Sequence, residues 1–139
     1  ENQLDRHRKL LSFTVPIRPL DELFPESDIG FIKIDVEGHE NAVLTGAQNL
    51  IQRCRPKVIL ECIDDHKKGA VAEMRSFFEK MDYAVLFLSE NRLNDIAEYN
   101  DSFIDPNKRN SRAFVNNFIA LPQEELGSFQ TRFAAGLSK

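Results

Sequence analysis

The stretch FIKIDVEGHENAVLTGAQNLI, residues 31–51, constrains the fold more than any other part of the chain. Residues 31–36 form an apolar run with β-branched side chains, the pattern of a strand buried in a sheet. The run then carries Asp35, Glu37, His39 and Glu40 within six residues. Beyond Gly38 the apolar positions Val43, Ala47, Leu50 and Cys54 recur at helical spacing. Charged groups cost free energy wherever water is excluded. A buried strand that ends on acids must therefore deliver them to an edge that water or a ligand reaches.

The rest of the chain extends this unit. Residues 12–18 alternate weakly and predict a short strand limited by Pro16 and Pro19. A helical turn and loop follow. The spacing predicts one helix over 39–53, with Glu37 and Glu40 near its positive end and Arg53 and Arg55 near its negative end. Pro56 stops it. KVILECI, 57–63, is a second buried strand; 69–81 is a second helix with Val71, Met74, Phe77, Phe78 and Met81 inward; 83–88 is a third strand. Residues 93–113 form a long polar stretch without clear periodicity, of the kind that shapes binding sites. A last strand spans 115–122, and the tail from 123 is a short amphipathic helix or frays.

This order predicts an α/β fold with a mostly parallel sheet. In such sheets ligands bind beyond the carboxyl ends of the strands. Asp35, Glu37 and His39 end the first buried strand, and Glu61, Asp64, Asp65 and His66 end the next. Neighbouring strands lie about 4.8 Å apart, so the two groups can face one pocket.

Composition narrows the function. With 139 residues the chain has room for one core. A net charge of -4, and no basic run beyond RHRK at 6–9, argue against a nucleic-acid partner. No apolar run approaches the ~20 residues that span a bilayer, so no membrane partner is expected. Cys54 and Cys62 form no disulfide framework and no signal peptide is visible, which together read as a reduced, cytoplasmic protein. The chain opens on Glu1 rather than Met and is expected to be part of a longer protein.

Four pieces occur in a familiar order: VPIRPLDEL at 15–23, IGFIKIDVEGHENAVLTGA at 29–47, RPKVILE at 55–61 and NNFIALP at 116–122. Together, over about residues 14–122, they resemble the C-terminal half of FkbM-type methyltransferases. The block KIDVEGHE, 33–40, is the most specific of them. The resemblance implies a Rossmann-like class I fold and S-adenosylmethionine as cofactor. It also implies O-methylation of a hydroxyl on a small molecule or sugar. The strands would be the fourth to seventh of that sheet, the last antiparallel between the fifth and sixth. The family's glycine-rich cofactor turn, which follows its first strand, is not in this sequence, whose six glycines are scattered. Residues 1–139 are thus expected to be a partial methyltransferase domain, with 123–139 as a tail.

Methyl transfer to oxygen needs an in-line acceptor and a group that takes or orients the hydroxyl proton. By the resemblance, Asp35 orients the acceptor or touches the cofactor's amino group; the competing reading is a carboxylate capping the next helix. Glu37 faces the same choice. His39 is the natural general base, since an imidazole titrates near neutrality, or else a first-turn residue tied to an acid. Lys33 shares Asp35's strand face and can pair with an acid. Glu61 is expected to line the acceptor pocket, while Asp64, Asp65 and His66 read as a solvated loop. Two other readings stay open. One is a metal-dependent hydrolase using the same acids as ligands, although their spacing fits no metal motif. The other is a non-enzymatic, truncated or degenerate domain that associates with other chains. An isolated half-sheet exposes an edge, so self-association is expected.

Overall fold

The computed structural model describes residues 12–64, 68–105, 107 and 111–137. The basic run at 6–9, Asp65 and His66 lie outside the described residues.

Five strands form one sheet: β1 Phe31–Ile34, β2 Lys57–Glu61, β3 Tyr83–Ser89, β4 Arg92–Asp95 and β5 Asn117–Pro122. Their spatial order is β1-β2-β5-β3-β4. β1 pairs with β2 in parallel. β5 lies antiparallel between β2 and β3, and β4 pairs antiparallel with β3. The insertion of the last strand is where the family resemblance puts it. The sheet is nevertheless mixed rather than mostly parallel. Inserting β5 replaces the parallel pairing that β2 and β3 would make by two antiparallel ones, and β4 adds a hairpin that the sequence reading leaves as loop.

That hairpin turns at Glu90 and Asn91, both left-handed, with φ of 49° and 64°. Two consecutive positive φ values suit the tight connection that matches strand twist. After β4 the chain forms two short 3₁₀ turns, Ile96–Glu98 and Asp101–Ile104. Asp95 and Asn100 cap them by accepting the amides of Ala97 and Ser102. Tyr99 and Phe103 stack, and both meet Phe87 edge-on, which fastens this segment to the sheet.

The expected single helix over 39–53 is two, α2 Glu40–Thr45 and α3 Gln48–Cys54, after a short α1 at Leu20–Leu23. The break at Gly46 has a long-range cause. Asp21 donates its amide to the Gly46 carbonyl at 2.9 Å, and its carboxylate accepts the amides of Asn49 and Leu50 at 3.0 and 2.8 Å. Asp21 therefore caps the start of α3 from another part of the chain. A Cβ at Gly46 would lie 3.3 Å from the Pro19 backbone, so any side chain there needs Pro19 to give way by a few tenths of an ångström. Residues 12–18 form no strand. They carry no regular secondary structure and leave Phe13, Val15 and Ile17 exposed; Pro16 removes a donor that a ladder there would need.

α4 Ala70–Lys80 buries Val71, Met74 and Phe78 at helical spacing. With Leu44, Leu50 and Ile51 of α2 and α3, they cover one sheet face made by Ile34, Val58, Leu60, Phe118, Val85 and Phe87. α5 Leu126–Leu137 ends the described chain. Its Phe133 and Ala134 share a cleft with Arg92 and Leu93 of the hairpin. No helix among the described residues is long and apolar enough to cross a membrane.

Candidate functional site

Register decides which side chains meet at the carboxyl edge. Ile34 pairs with Leu60, Glu61 with Asn117, and Phe118 with Phe87. One residue along each strand, Asp35, Glu61, Asn117 and Leu88 stand in a row. Side chains alternate across a strand, so this row faces away from the helix-covered core. Adjacent members sit about 4.8 Å apart, one strand spacing.

Asp35 does not cap α2. Its carboxylate accepts from Lys33 Nζ at 2.8 Å, and both side chains are about half exposed. His39 is the residue before the helix and makes no side-chain cap. Between them the backbone turns sharply: Glu37 has φ 46° and Gly38 φ 97°. Glycine takes that conformation at no steric cost, whereas Glu37 is strained in it. Asp35, Glu37 and His39 are all exposed at this edge.

The acid that shapes the turn is Glu40, which the sequence places only as a helix-end charge. It is 3% exposed, and its Oε1 accepts the Gly38 amide at 2.8 Å. Asn41 and then the apolar Ala42-Val43-Leu44 follow it, so the visible signal is its place four residues before buried Leu44. Behind it lies Cys62, whose thiol is pushed up to about 12, first by burial and then by the Glu40 charge. That thiol is no nucleophile.

Glu61 is half-buried and accepts Asn116 Nδ2 at 2.7 Å. Asn117 Nδ2 in turn donates to Asn116 Oδ1 at 2.8 Å. Asn116 and Asn117 were not singled out from sequence, although paired amides opening a strand were the available signal. Asp64 is not merely solvated: its Oδ1 accepts the Val71 amide at 3.1 Å and helps start α4. No group of three His, Cys, Asp or Glu side chains among the described residues could hold a metal ion.

Two clefts stand out. The larger, about 800 Å³, is an open groove between α3 and α4 that includes Gln48, Gln52, Glu73 and Lys80. It lies on the outer side of the helices, away from the row of acids. The second, about 490 Å³, lies beside Asn117 and Leu88 at the carboxyl edge. The position rule for α/β sheets favours the smaller one.

An α/β domain whose strand-end acids share one open edge has those acids where sheets of this class bind ligands. The family model for the methyltransferase FkbM domain matches residues 9–85, more than half of the 139 residues, and the chain belongs to that family. No curated protein and no solved structure gives a significant match.

Proposed function

We propose that the chain is the C-terminal half of a Rossmann-like class I methyltransferase domain. In this reading it uses S-adenosylmethionine to methylate a hydroxyl of a small molecule or sugar. The observation that carries the reading is the row Asp35, Glu61 and Asn117 at the carboxyl edge, beginning on a strand that, among the described residues, is paired on one side only. The antiparallel β5 between β2 and β3 supports the class I assignment. The family match does not favour the non-enzymatic alternative.

The residues present fit one end of the cofactor. Asp35 is exposed and already holds an ammonium group, that of Lys33, which the cofactor's amino group can replace or share. No glycine-rich turn follows a strand in this sequence, so the remaining contacts need other residues. When bound, the cofactor supplies a methyl group on a positively charged sulfur. Glu61 orients the acceptor hydroxyl, its carboxylate held in place by Asn116. His39 takes the hydroxyl proton on an imidazole nitrogen. Glu37, one turn residue away, stabilises the imidazolium that forms.

The test is transfer of labelled methyl from S-adenosylmethionine to hydroxylated acceptors by an active enzyme containing this chain. His39→Ala should lower turnover, with part of the loss recovered at higher pH. Turnover equal to wild type in that variant would remove the assigned base.

A further inference from the structure

The cleft beside Asn117 has a composition that the reaction itself does not explain. We infer that it is an acceptor subsite for a neutral oligosaccharide, holding the sugar next to the one that is methylated. This rests on the methyltransferase reading for the identity of the reacting ring, but not for binding.

The cleft of about 490 Å³ lies between the β3–β4 turn and the entry to β5, in the size range of small-ligand sites. Its two sides are joined: the Glu90 amide donates to the Arg112 carbonyl at 3.1 Å, and Arg112 Nη1 to Asn91 Oδ1 at 3.4 Å. Three amide side chains line it, those of Asn91, Asn116 and Asn117. They offer donors and acceptors together, as a ring of hydroxyls requires. The charges of Glu90 and Arg112 face the same space and cancel, which argues against an anionic ligand. Leu88 is 46% exposed there and Phe114 adds a ring, a surface for the C–H face of a sugar. Asn117 Oδ1 has no donor among the described residues and remains available.

The cleft is also linked to the proposed site through two of its lining residues, Asn116 and Asn117. Asn117 donates to Asn116 and Asn116 to Glu61, a chain of hydrogen bonds from cleft to carboxyl edge. From Asp35 to Leu88 is three strand spacings, about 14 Å. That span exceeds one pyranose ring. A ligand touching both ends must therefore carry at least two.

Saturation-transfer NMR on this chain tests the inference. The probes are cellobiose, lactose, maltotriose and chitobiose beside glucose, galactose and N-acetylglucosamine. At least one oligosaccharide should bind, with its monosaccharide about tenfold weaker. Asn117→Ala and Arg112→Ala, both at exposed positions, should each weaken binding by about tenfold. No transfer from any oligosaccharide, equal binding of the monosaccharide, or binding untouched by both substitutions would overturn it. Sugar binding in a protein that transfers no methyl group would keep the subsite and remove the proposed reaction. Methyl transfer to a sugar with KM unchanged in Asn117→Ala would keep the reaction and remove the subsite.

Discussion

The Glu40 carboxylate accepts the backbone amide of Gly38 at 2.8 Å, from a position almost sealed from solvent. It pins the left-handed turn that carries Glu37 and leads from Asp35 to His39. Glu40→Ala should cost about 1.5–3 kcal/mol, since a buried charged hydrogen bond is lost and an amide is left unpaired. Glu40→Gln keeps an acceptor oxygen of the same reach and should cost less. Urea unfolding of both variants measures the difference; equal losses would mean that packing, not the hydrogen bond, holds the turn.

The two cysteines should differ in reactivity. Cys62 is buried and its thiol pushed up to about 12, whereas Cys54 is partly exposed at the end of α3. In native protein a thiol reagent should modify Cys54 first and reach Cys62 only on unfolding. Mass spectrometry of a timed reaction reads this directly, and early labelling of Cys62 would contradict its buried placement.

Arg55 and Glu124 make stability depend on acid. The Arg55 guanidinium donates to both Glu124 carboxylate oxygens, at 3.2 and 2.7 Å. That hydrogen bonding, more than any other cause, holds the Glu124 carboxyl below its usual value. A depressed carboxyl contributes stability above its unfolded pKa and loses it as pH falls through the folded value. Glu124→Gln should therefore melt lower than wild type at pH 7, and the gap should close in acid below the ordinary carboxylate range. A gap independent of pH would assign the effect to packing.

The outer edge of β1 has no partner strand among the described residues, and Phe31 beside it is 55% exposed. Just upstream, Phe13, Val15 and Ile17 present further apolar surface. Such an edge recruits strands from other chains. We propose that the 139-residue chain self-associates, so light scattering should show species larger than one chain that grow with concentration. A monodisperse monomer across that range would count against it.

Four strands were legible because each is a compact apolar run: Ile32 and Ile34, Val58 and Leu60, Val85 and Phe87, Phe118 and Ala120 alternate into one core. β4 was not, because its turn is Glu90-Asn91 rather than a glycine pair and its own residues are largely polar. The break between α2 and α3 depends on Asp21, 28 residues from Asn49, which no local pattern shows. The exposed acids at 35–39 could be read from the strand that delivers them. The burial of Glu40 and the Glu61–Asn116–Asn117 chain could not, because they follow from packing and strand register rather than from spacing.

Asp35→Asn in an active enzyme containing this chain tests the central claim most directly, with turnover and melting temperature measured side by side. Asn keeps the shape of the side chain and removes its charge. The Lys33 pair it breaks is exposed and contributes no more than about 1 kcal/mol, so the melting temperature should barely move. If Asp35 holds the acceptor or the cofactor's amino group, the lost charged hydrogen bond costs on the order of 1.5–3 kcal/mol, at least about tenfold in turnover or affinity. Wild-type turnover in Asp35→Asn would contradict the account and leave the charged run as a turn before a helix.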